Sequence, residues 1–128
     1  MGHIDLTAVN ADLGRNAPAL VEWALGLGKT SIVTTNFRPF EAVILHMVTQ
    51  VNPKVPVVWM DNGYNTEATY RYADEVTRRL KLNLRIYLPL RSRAHREAID
   101  GPVPALDDPR HAAFTEEVKL EPFARALR

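Results

Sequence analysis

The clearest regularity in the sequence is a stripe of apolar residues between Pro39 and Val51. Apolar side chains recur there at intervals of three and four residues, which is the spacing of one face of an α-helix. The members of this stripe are Phe40, Val43, Ile44, Met47, Val48 and Val51. We therefore predict an amphipathic helix that packs this face on a sheet and ends at Asn52-Pro53, because proline cannot continue a helix.

Three short apolar runs, each typical of a buried strand, lie before and after the predicted helices. They are Thr30–Thr35, Val55–Met60 and Leu82–Leu88. Between the last two runs we predict a helix from about Thr66 to Lys81, with an inward face of Thr69, Tyr72, Ala73, Val76 and Leu80. Strands that alternate with helices through short connections form a parallel sheet. The pattern predicts a three-layer α/β/α fold with a mainly parallel sheet.

The remaining segments surround this core in a single domain, residues 1–128. We assign residues 1–29 to N-terminal helices, 30–88 to the βαβαβ core, 89–120 to an irregular segment and 121–128 to the start of another helix. Within the irregular segment, Ser92–Ile99 has the charges of a short helix. No strand follows the last helix, and three strands make a thin sheet. We therefore expect the N-terminal part of a larger fold, incomplete at its C-terminus, or a partner that covers the sheet.

The composition excludes several classes of function. Hydrophobic residues make up 46% of the chain and the net charge is +1, so we expect a globular protein with no general attraction to nucleic acid or membranes. Cysteine is absent, which excludes disulfides, cysteine-ligated clusters and thiol catalysis within these residues. The four histidines lack the spacing of metal ligands. No apolar run approaches the roughly 20 residues that span a membrane, and no signal peptide is visible, so we expect a cytoplasmic location.

Polar residues follow two of the predicted strands, at the edge where ligands bind in open parallel sheets. The first group is Thr34-Thr35-Asn36-Phe37-Arg38-Pro39. Hydroxyls, an amide, a guanidinium and the free N–H groups of a helix N-terminus suit a phosphate or sulfate. A capped turn with an exposed arginine explains these residues equally well. The second group, Asp61-Asn62-Gly63-Tyr64, is by itself typical of an ordinary turn with Gly63 at positive φ.

These two loops occur in a fixed order with several other short motifs. The series is Thr35-Asn36-Phe37-Arg38, Leu45-His46-Met47-Val48, Asp61-Asn62-Gly63-Tyr64, Ala68-Thr69-Tyr70-Arg71-Tyr72, Leu80-Lys81-Leu82-Asn83-Leu84, Lys119-Leu120-Glu121-Pro122-Phe123 and Arg125-Ala126-Leu127. It resembles the phosphoadenylyl-sulfate (PAPS) reductase family, within the adenine nucleotide α-hydrolase-like (PP-loop) superfamily. That family shows Ser-Ser-Phe-Gly, Leu-His-Leu-Val, Asp-Thr-Gly-Tyr, Glu-Thr-Tyr-Arg-Phe and Lys-Val-Glu-Pro-Leu in the same order.

The resemblance implies a nucleotide-binding domain for PAPS or adenosine 3′,5′-bisphosphate. By analogy, the Thr35–Pro39 loop contacts phosphate or sulfate, the Asp61–Gly63 segment with the first strand holds adenine and ribose, and Lys119 is an anion partner. Family reductases attack the sulfate sulfur with a cysteine near their C-terminus and release sulfite. They are recharged by thioredoxin or glutaredoxin. The resemblance also allows a homodimer.

This sequence departs from the family pattern at several positions. Arg38-Pro39 replaces the loop glycine, and Ala68 replaces the glutamate of Glu-Thr-Tyr. The cysteine pair that holds an iron–sulfur cluster in adenylyl-sulfate reductases is matched by Phe114 and Thr115. The resemblance therefore implies no cluster and no metal, and favours the branch that uses PAPS. Without a cysteine, the chain as written binds nucleotide but does not reduce sulfate.

Two other functions remain open beside this reductase-like one. The first is a non-catalytic module or subunit that binds an adenine nucleotide. The second is an ATP-dependent sulfurtransferase or adenylating enzyme, which ranks last because the Ser-Gly-Gly-x-Asp-Ser loop of that group is absent. A basic cluster of Arg91, Arg93, His95 and Arg96 is most simply a solvated helix face, with contact to the nucleotide or to a thioredoxin-like partner as the alternative.

Overall fold

A computed structural model describes residues 4–128 of the chain. The first three residues of the N-terminal segment lie outside the described residues. The elements in chain order are α1 (Leu6–Leu13), α2 (Ala17–Leu25), β1 (Val33–Thr34), α3 (Glu41–Val51), β2 (Pro56–Met60), α4 (Glu67–Leu80), β3 (Asn83–Tyr87), α5 (Arg93–Asp100), α6 (His111–Thr115), a π-helical turn (Glu116–Leu120) and α7 (Glu121–Ala126).

The three strands form one parallel sheet in the order β1-β2-β3. Val33 lies opposite Val57, and Val57 lies opposite Leu84. Each connection between neighbouring strands contains a helix, so the predicted parallel βαβαβ core is confirmed. The strand β1 is shorter than the apolar run that predicted it, because only Val33 and Thr34 pair with β2 as ladder residues.

Helices cover both faces of the sheet. On one face, Val57 and Trp59 of β2 pack with Leu45 of α3 and with Ala73 and Val76 of α4 in one buried cluster. Successive residues of a strand point to opposite faces. Val58, which is also buried, therefore points to the other face, where α7 packs on β2 and β3. The helix α2 packs on α3, and α1 packs on α2. This is the predicted three-layer α/β/α fold.

The face that α3 turns to the sheet differs from the predicted stripe. The buried residues of α3 are Leu45, Val48 and Thr49, whereas Phe40 is 90% exposed and Val43 is 60% exposed. Phe37, just before the helix, inserts its ring into the same cluster as Leu45. This anchor and the short loop fix the rotation of α3. Helical periodicity locates an apolar stripe, but it does not say which neighbour covers that stripe. For α4 the predicted face is confirmed, because Ala73 and Val76 are buried.

The segment 89–120 contains more regular structure than expected. It holds α5, α6 and the π-helical turn, and α5 lies where the charges predicted a short helix. Ser92 caps α5, because its hydroxyl accepts a hydrogen bond from the backbone N–H of His95 at 3.2 Å. Among residues 4–128, no helix combines the length and apolar character needed to cross a bilayer.

Candidate anion-binding site

The loop after β1 is held in one conformation by its own side chains. Thr35 is 3% exposed, and its hydroxyl accepts a hydrogen bond from the backbone N–H of Phe37 at 2.9 Å. Phe37 has a φ of 54°, in the left-handed region. Its ring is buried and packs edge-on against Trp59, with 5.0 Å between ring centres. Core packing therefore stabilises a backbone conformation that is unfavourable for a bulky residue.

A carboxylate already occupies hydrogen-bond donors of this loop. The Oε2 atom of Glu41 accepts a hydrogen bond from the Thr35 hydroxyl at 2.7 Å and another from the backbone N–H of Asn36 at 2.7 Å. Burial acts to raise the pKa of Glu41. The hydrogen bonds from Thr35, Asn36 and Arg38, with the charge of Arg38, outweigh burial and hold the pKa of this carboxyl below its ordinary value. Glu41, the first residue of α3, therefore places a negative charge at the loop.

Glu41 was not among the residues that the sequence indicated. The available signal was an acidic residue in the first turn of the predicted helix, two positions after Pro39. Such a residue is also what the helix dipole favours in any helix. The sequence alone therefore did not distinguish a glutamate that contacts the loop from one that only begins the helix.

Lys119 reaches the same loop from a distant part of the chain. Its Nζ donates to Oδ1 of Asn36 at 3.4 Å, across 83 positions of sequence. Lys119 lies in the π-helical turn between α6 and α7. Such a turn contains one residue more than an α-helical turn and shifts the residues after it around the helix axis. The tertiary structure thus brings together Thr34–Asn36 and Lys119.

A cavity of about 430 Å³ opens beside this group. Its lining is polar on the side of the loop and apolar on the side of β2 and α7. The lining residues are Thr34, Thr35, Asn36, Glu41, Met60, Lys119, Leu120 and Phe123. The sequence did not indicate the apolar part, because Met60 lies far along the chain from Leu120 and Phe123. An anion at the loop and a flat apolar group against Met60 and Phe123 fit such a lining.

Arg38 and Pro39 lie on the outer side of the loop. Both are exposed and neither lines the cavity. Within residues 4–128, the non-glycine residues with positive φ are Phe37 and Lys81. The backbone at Arg38 therefore does not need the freedom of glycine. The charge of Arg38 acts on Glu41.

The second loop is hydrogen-bonded internally. Oδ1 of Asp61 accepts three hydrogen bonds, from the N–H of Gly63 at 3.0 Å, the side-chain amide of Asn65 at 3.0 Å and the hydroxyl of Tyr70 at 2.8 Å. Asp61 is 8% exposed. Oδ1 of Asn62 accepts the N–H of Tyr64 at 2.8 Å. Gly63 has the expected positive φ, 80°.

The two loops border different cavities. Asp61 and Trp59 line a second space of about 430 Å³ with Tyr70 and Ala73 of α4. Met60, between them in sequence, lines the first cavity. Residues that alternate along a strand face opposite sides of the sheet. Both loops begin at the carboxyl edge, but the side chains of Thr34–Asn36 and Asp61 do not share one cavity.

The basic cluster is not a solvated helix face throughout. Arg96 is 4% exposed and donates to the Tyr64 hydroxyl at 3.1 Å and to the carbonyl of Gly101 at 3.2 Å. Its guanidinium lies 4.7 Å from the centre of the Phe114 ring. Arg91 forms ion pairs with Asp100 and Glu117. The expectation of a solvated face is wrong for Arg96, because Tyr64 and Phe114 cover it from outside its own helix.

The parallel sheet, with a polar loop at its carboxyl edge, places this chain in the class of open α/β proteins, in which ligands bind at that edge. Comparison with known families is more specific. Residues 30–128 match the phosphoadenosine phosphosulfate reductase domain, and the chain belongs to this family.

Curated relatives of the same name align with nearly the whole chain. It is 39% identical over 128 residues to phosphoadenosine 5′-phosphosulfate reductase of Synechococcus sp., with 96% of this chain and 54% of the relative covered. It is 42% identical over 125 residues to the protein of that name from Xanthomonas euvesicatoria, with 96% and 52% covered. The chain thus spans about half the length of these relatives.

The fold is also that of a solved structure. The crystal structure of PAPS reductase from Candida auris, a phosphate complex, superposes with a TM-score of 0.80 at 24% sequence identity. The match covers 98% of this chain and 63% of the other. It confirms the α/β/α architecture.

Proposed function

We propose that this chain forms the nucleotide-binding part of a PAPS-reducing oxidoreductase of sulfate assimilation, and that it binds PAPS or adenosine 3′,5′-bisphosphate. The main support is the convergence of Lys119 with the Thr34–Asn36 loop at one cavity. Backbone N–H groups and an ammonium group suit a phosphate or sulfate. The apolar wall of Met60 and Phe123 suits an adenine ring.

The reductive step requires a group that these 128 residues do not contain. A thiolate attacks the sulfate sulfur and forms a sulfur–sulfur bond, while the sulfur–oxygen bond to the nucleotide breaks and adenosine 3′,5′-bisphosphate leaves. Since the chain has no cysteine, the thiol comes from outside it in our proposal. A dithiol protein of the thioredoxin or glutaredoxin type then reduces the S-sulfonated thiol, so that sulfite and the free thiol are released and the dithiol becomes a disulfide. We further propose a cytoplasmic location, because a reducing compartment sustains this cycle, and a site without an iron–sulfur cluster or metal.

A second candidate function is a nucleotide-binding module without redox chemistry. The absence of cysteine from the chain is the observation that favours it. Both functions share the same site for the nucleotide. They differ in whether sulfite forms when the whole protein, PAPS and a thioredoxin system are combined.

Calorimetric titration with adenosine 3′,5′-bisphosphate tests the shared site. We expect saturable binding, and we expect Lys119→Ala to weaken it roughly fivefold to tenfold because an exposed charge-assisted contact is lost. Lys54→Ala is the matched control, because Lys54 precedes β2 at the opposite edge of the sheet. No heat at millimolar ligand would refute the proposed site. An equal loss of affinity in Lys119→Ala and Lys54→Ala would show a general effect of protein charge and not a contact at the site.

A further inference from the structure

We propose that Glu41 is an internal competitor for the anion site, and that its carboxylate must leave the loop before a ligand anion can use the loop donors. This inference rests on the proposed function, in which the loop receives a phosphate or sulfate. It adds a residue that sets the affinity of the site. The competing group is part of the chain, so it is present at every concentration of ligand.

The contacts of Glu41 are the first support. One carboxylate oxygen accepts both the Thr35 hydroxyl and the Asn36 N–H, each at 2.7 Å. These are short, charge-assisted hydrogen bonds. They use two of the donors that the loop has for an anion. A phosphate oxygen that takes the same donors would have to occupy the position of this carboxylate oxygen.

A second support comes from the equivalent residue of another helix. Glu67 is the first residue of α4, as Glu41 is the first residue of α3. The carboxylate of Glu67 turns outward, forms an ion pair with Arg71 and is 78% exposed. A glutamate at this helix position therefore does not have to fold back on the preceding loop. The contact of Glu41 is a property of the β1–α3 loop.

The charges at the cavity are the third support. Glu41 and Lys119 are its two charged lining residues, so the negative charge of one offsets the positive charge of the other. An incoming phosphate meets repulsion from Glu41 at close range. Two like charges about 5 Å apart in partly hydrated surroundings change binding on the order of tenfold. Removal of the charge of Glu41 should strengthen anion binding by this factor.

The test compares Glu41→Gln, Glu41→Ala and Glu67→Gln with the wild-type chain. Each protein is titrated by calorimetry with adenosine 3′,5′-bisphosphate and separately with adenosine, which has no phosphate. Glu41→Gln keeps the size and an oxygen acceptor for Thr35 and Asn36, so its fold should persist. Far-ultraviolet circular dichroism and a thermal melt establish this for each variant. Glu67→Gln removes the same charge from the same helix position outside the cavity.

We expect Glu41→Gln to bind adenosine 3′,5′-bisphosphate about tenfold more tightly than wild type because the charge is removed, and Glu41→Ala to bind at least as tightly as Glu41→Gln because it also frees the loop donors. Adenosine affinity and Glu67→Gln should be unchanged. Unchanged or weaker bisphosphate binding by a folded Glu41→Gln would overturn the inference and make Glu41 a stabiliser of the loop. Equal gains for Glu67→Gln, or for adenosine, would also overturn it. If all four proteins bind the bisphosphate equally, the inference fails and the proposed function stands. If none binds it, both fail.

Discussion

Replacement of Tyr70 by phenylalanine removes the hydroxyl that donates to Asp61, and it tests how the second loop is held. The Tyr70 hydroxyl lies 2.8 Å from Oδ1 of Asp61. The same oxygen accepts from Gly63 and Asn65, each at 3.0 Å. Three of the four residues lie in the turn that follows β2, and Tyr70 lies in α4. We expect this group to stabilise the fold by linking the turn to the helix.

The expected decrease in the free energy of unfolding follows from the hydrogen bonds that each substitution removes. A hydrogen bond to a charged group contributes roughly 1.5–3 kcal/mol. Tyr70 is only half-buried, so Tyr70→Phe should lower the free energy of unfolding by about 1–2 kcal/mol. Asp61→Ala leaves three donors unpaired and should cost about 3–4 kcal/mol. In the double variant, about 1 kcal/mol or more should appear as coupling between the two sites.

Urea denaturation followed by tryptophan fluorescence measures these differences. Trp59 is a suitable reporter because its ring packs against Tyr70, with 5.8 Å between ring centres. Tyr87→Phe is the control, since the Tyr87 hydroxyl makes no hydrogen bond within residues 4–128. A Tyr70→Phe protein as stable as the control, with no coupling to Asp61→Ala, would refute this account of the loop.

Two further predictions concern the helix α3 and the titration of Tyr70. Leu45→Ala should lower the free energy of unfolding by about 2–5 kcal/mol in urea denaturation, because Leu45 is 1% exposed. Phe40→Ala should change it by less than about 0.5 kcal/mol, because Phe40 is 90% exposed. The reverse order would show that the face of α3 predicted from sequence is the buried one. Burial, the hydrogen bond to Asp61 and the charge of Asp61 raise the pKa of Tyr70 above its ordinary value. The unfolded state then loses this proton first, so wild-type stability should fall relative to Tyr70→Phe as the pH rises above about 10. Parallel stability curves up to pH 11 would contradict this prediction.

The elements with strong local signals were predictable from sequence. Apolar runs located β2 and β3, and the period of Ala73 and Val76 gave the buried face of α4. Proline and glycine gave the turns, and Gly63 has the positive φ expected of it. These signals are local, because each depends on residues within about one turn or one strand.

The rotation of α3 was not predictable in this way. Its sequence is apolar on more than one side, and Phe37 decides which side meets the sheet by entering the core before the helix begins. A residue in a loop with a φ of 54° gives no periodic signal. The burial of Arg96 by Tyr64 and Phe114 likewise depends on residues from three separate segments.

Part of the candidate site was predictable from local sequence, and the rest depended on tertiary packing. The β1–α3 loop, with its hydroxyl, amide and helix N-terminus, was predictable from its own residues, and family resemblance added Lys119. Only the tertiary structure placed Lys119 at Asn36, separated Asp61 from that cavity and put the Glu41 carboxylate on the loop donors. The physical reason is that loop composition is local, whereas the charge and shape of a cavity depend on which distant side chains the packed sheet and helices bring to it.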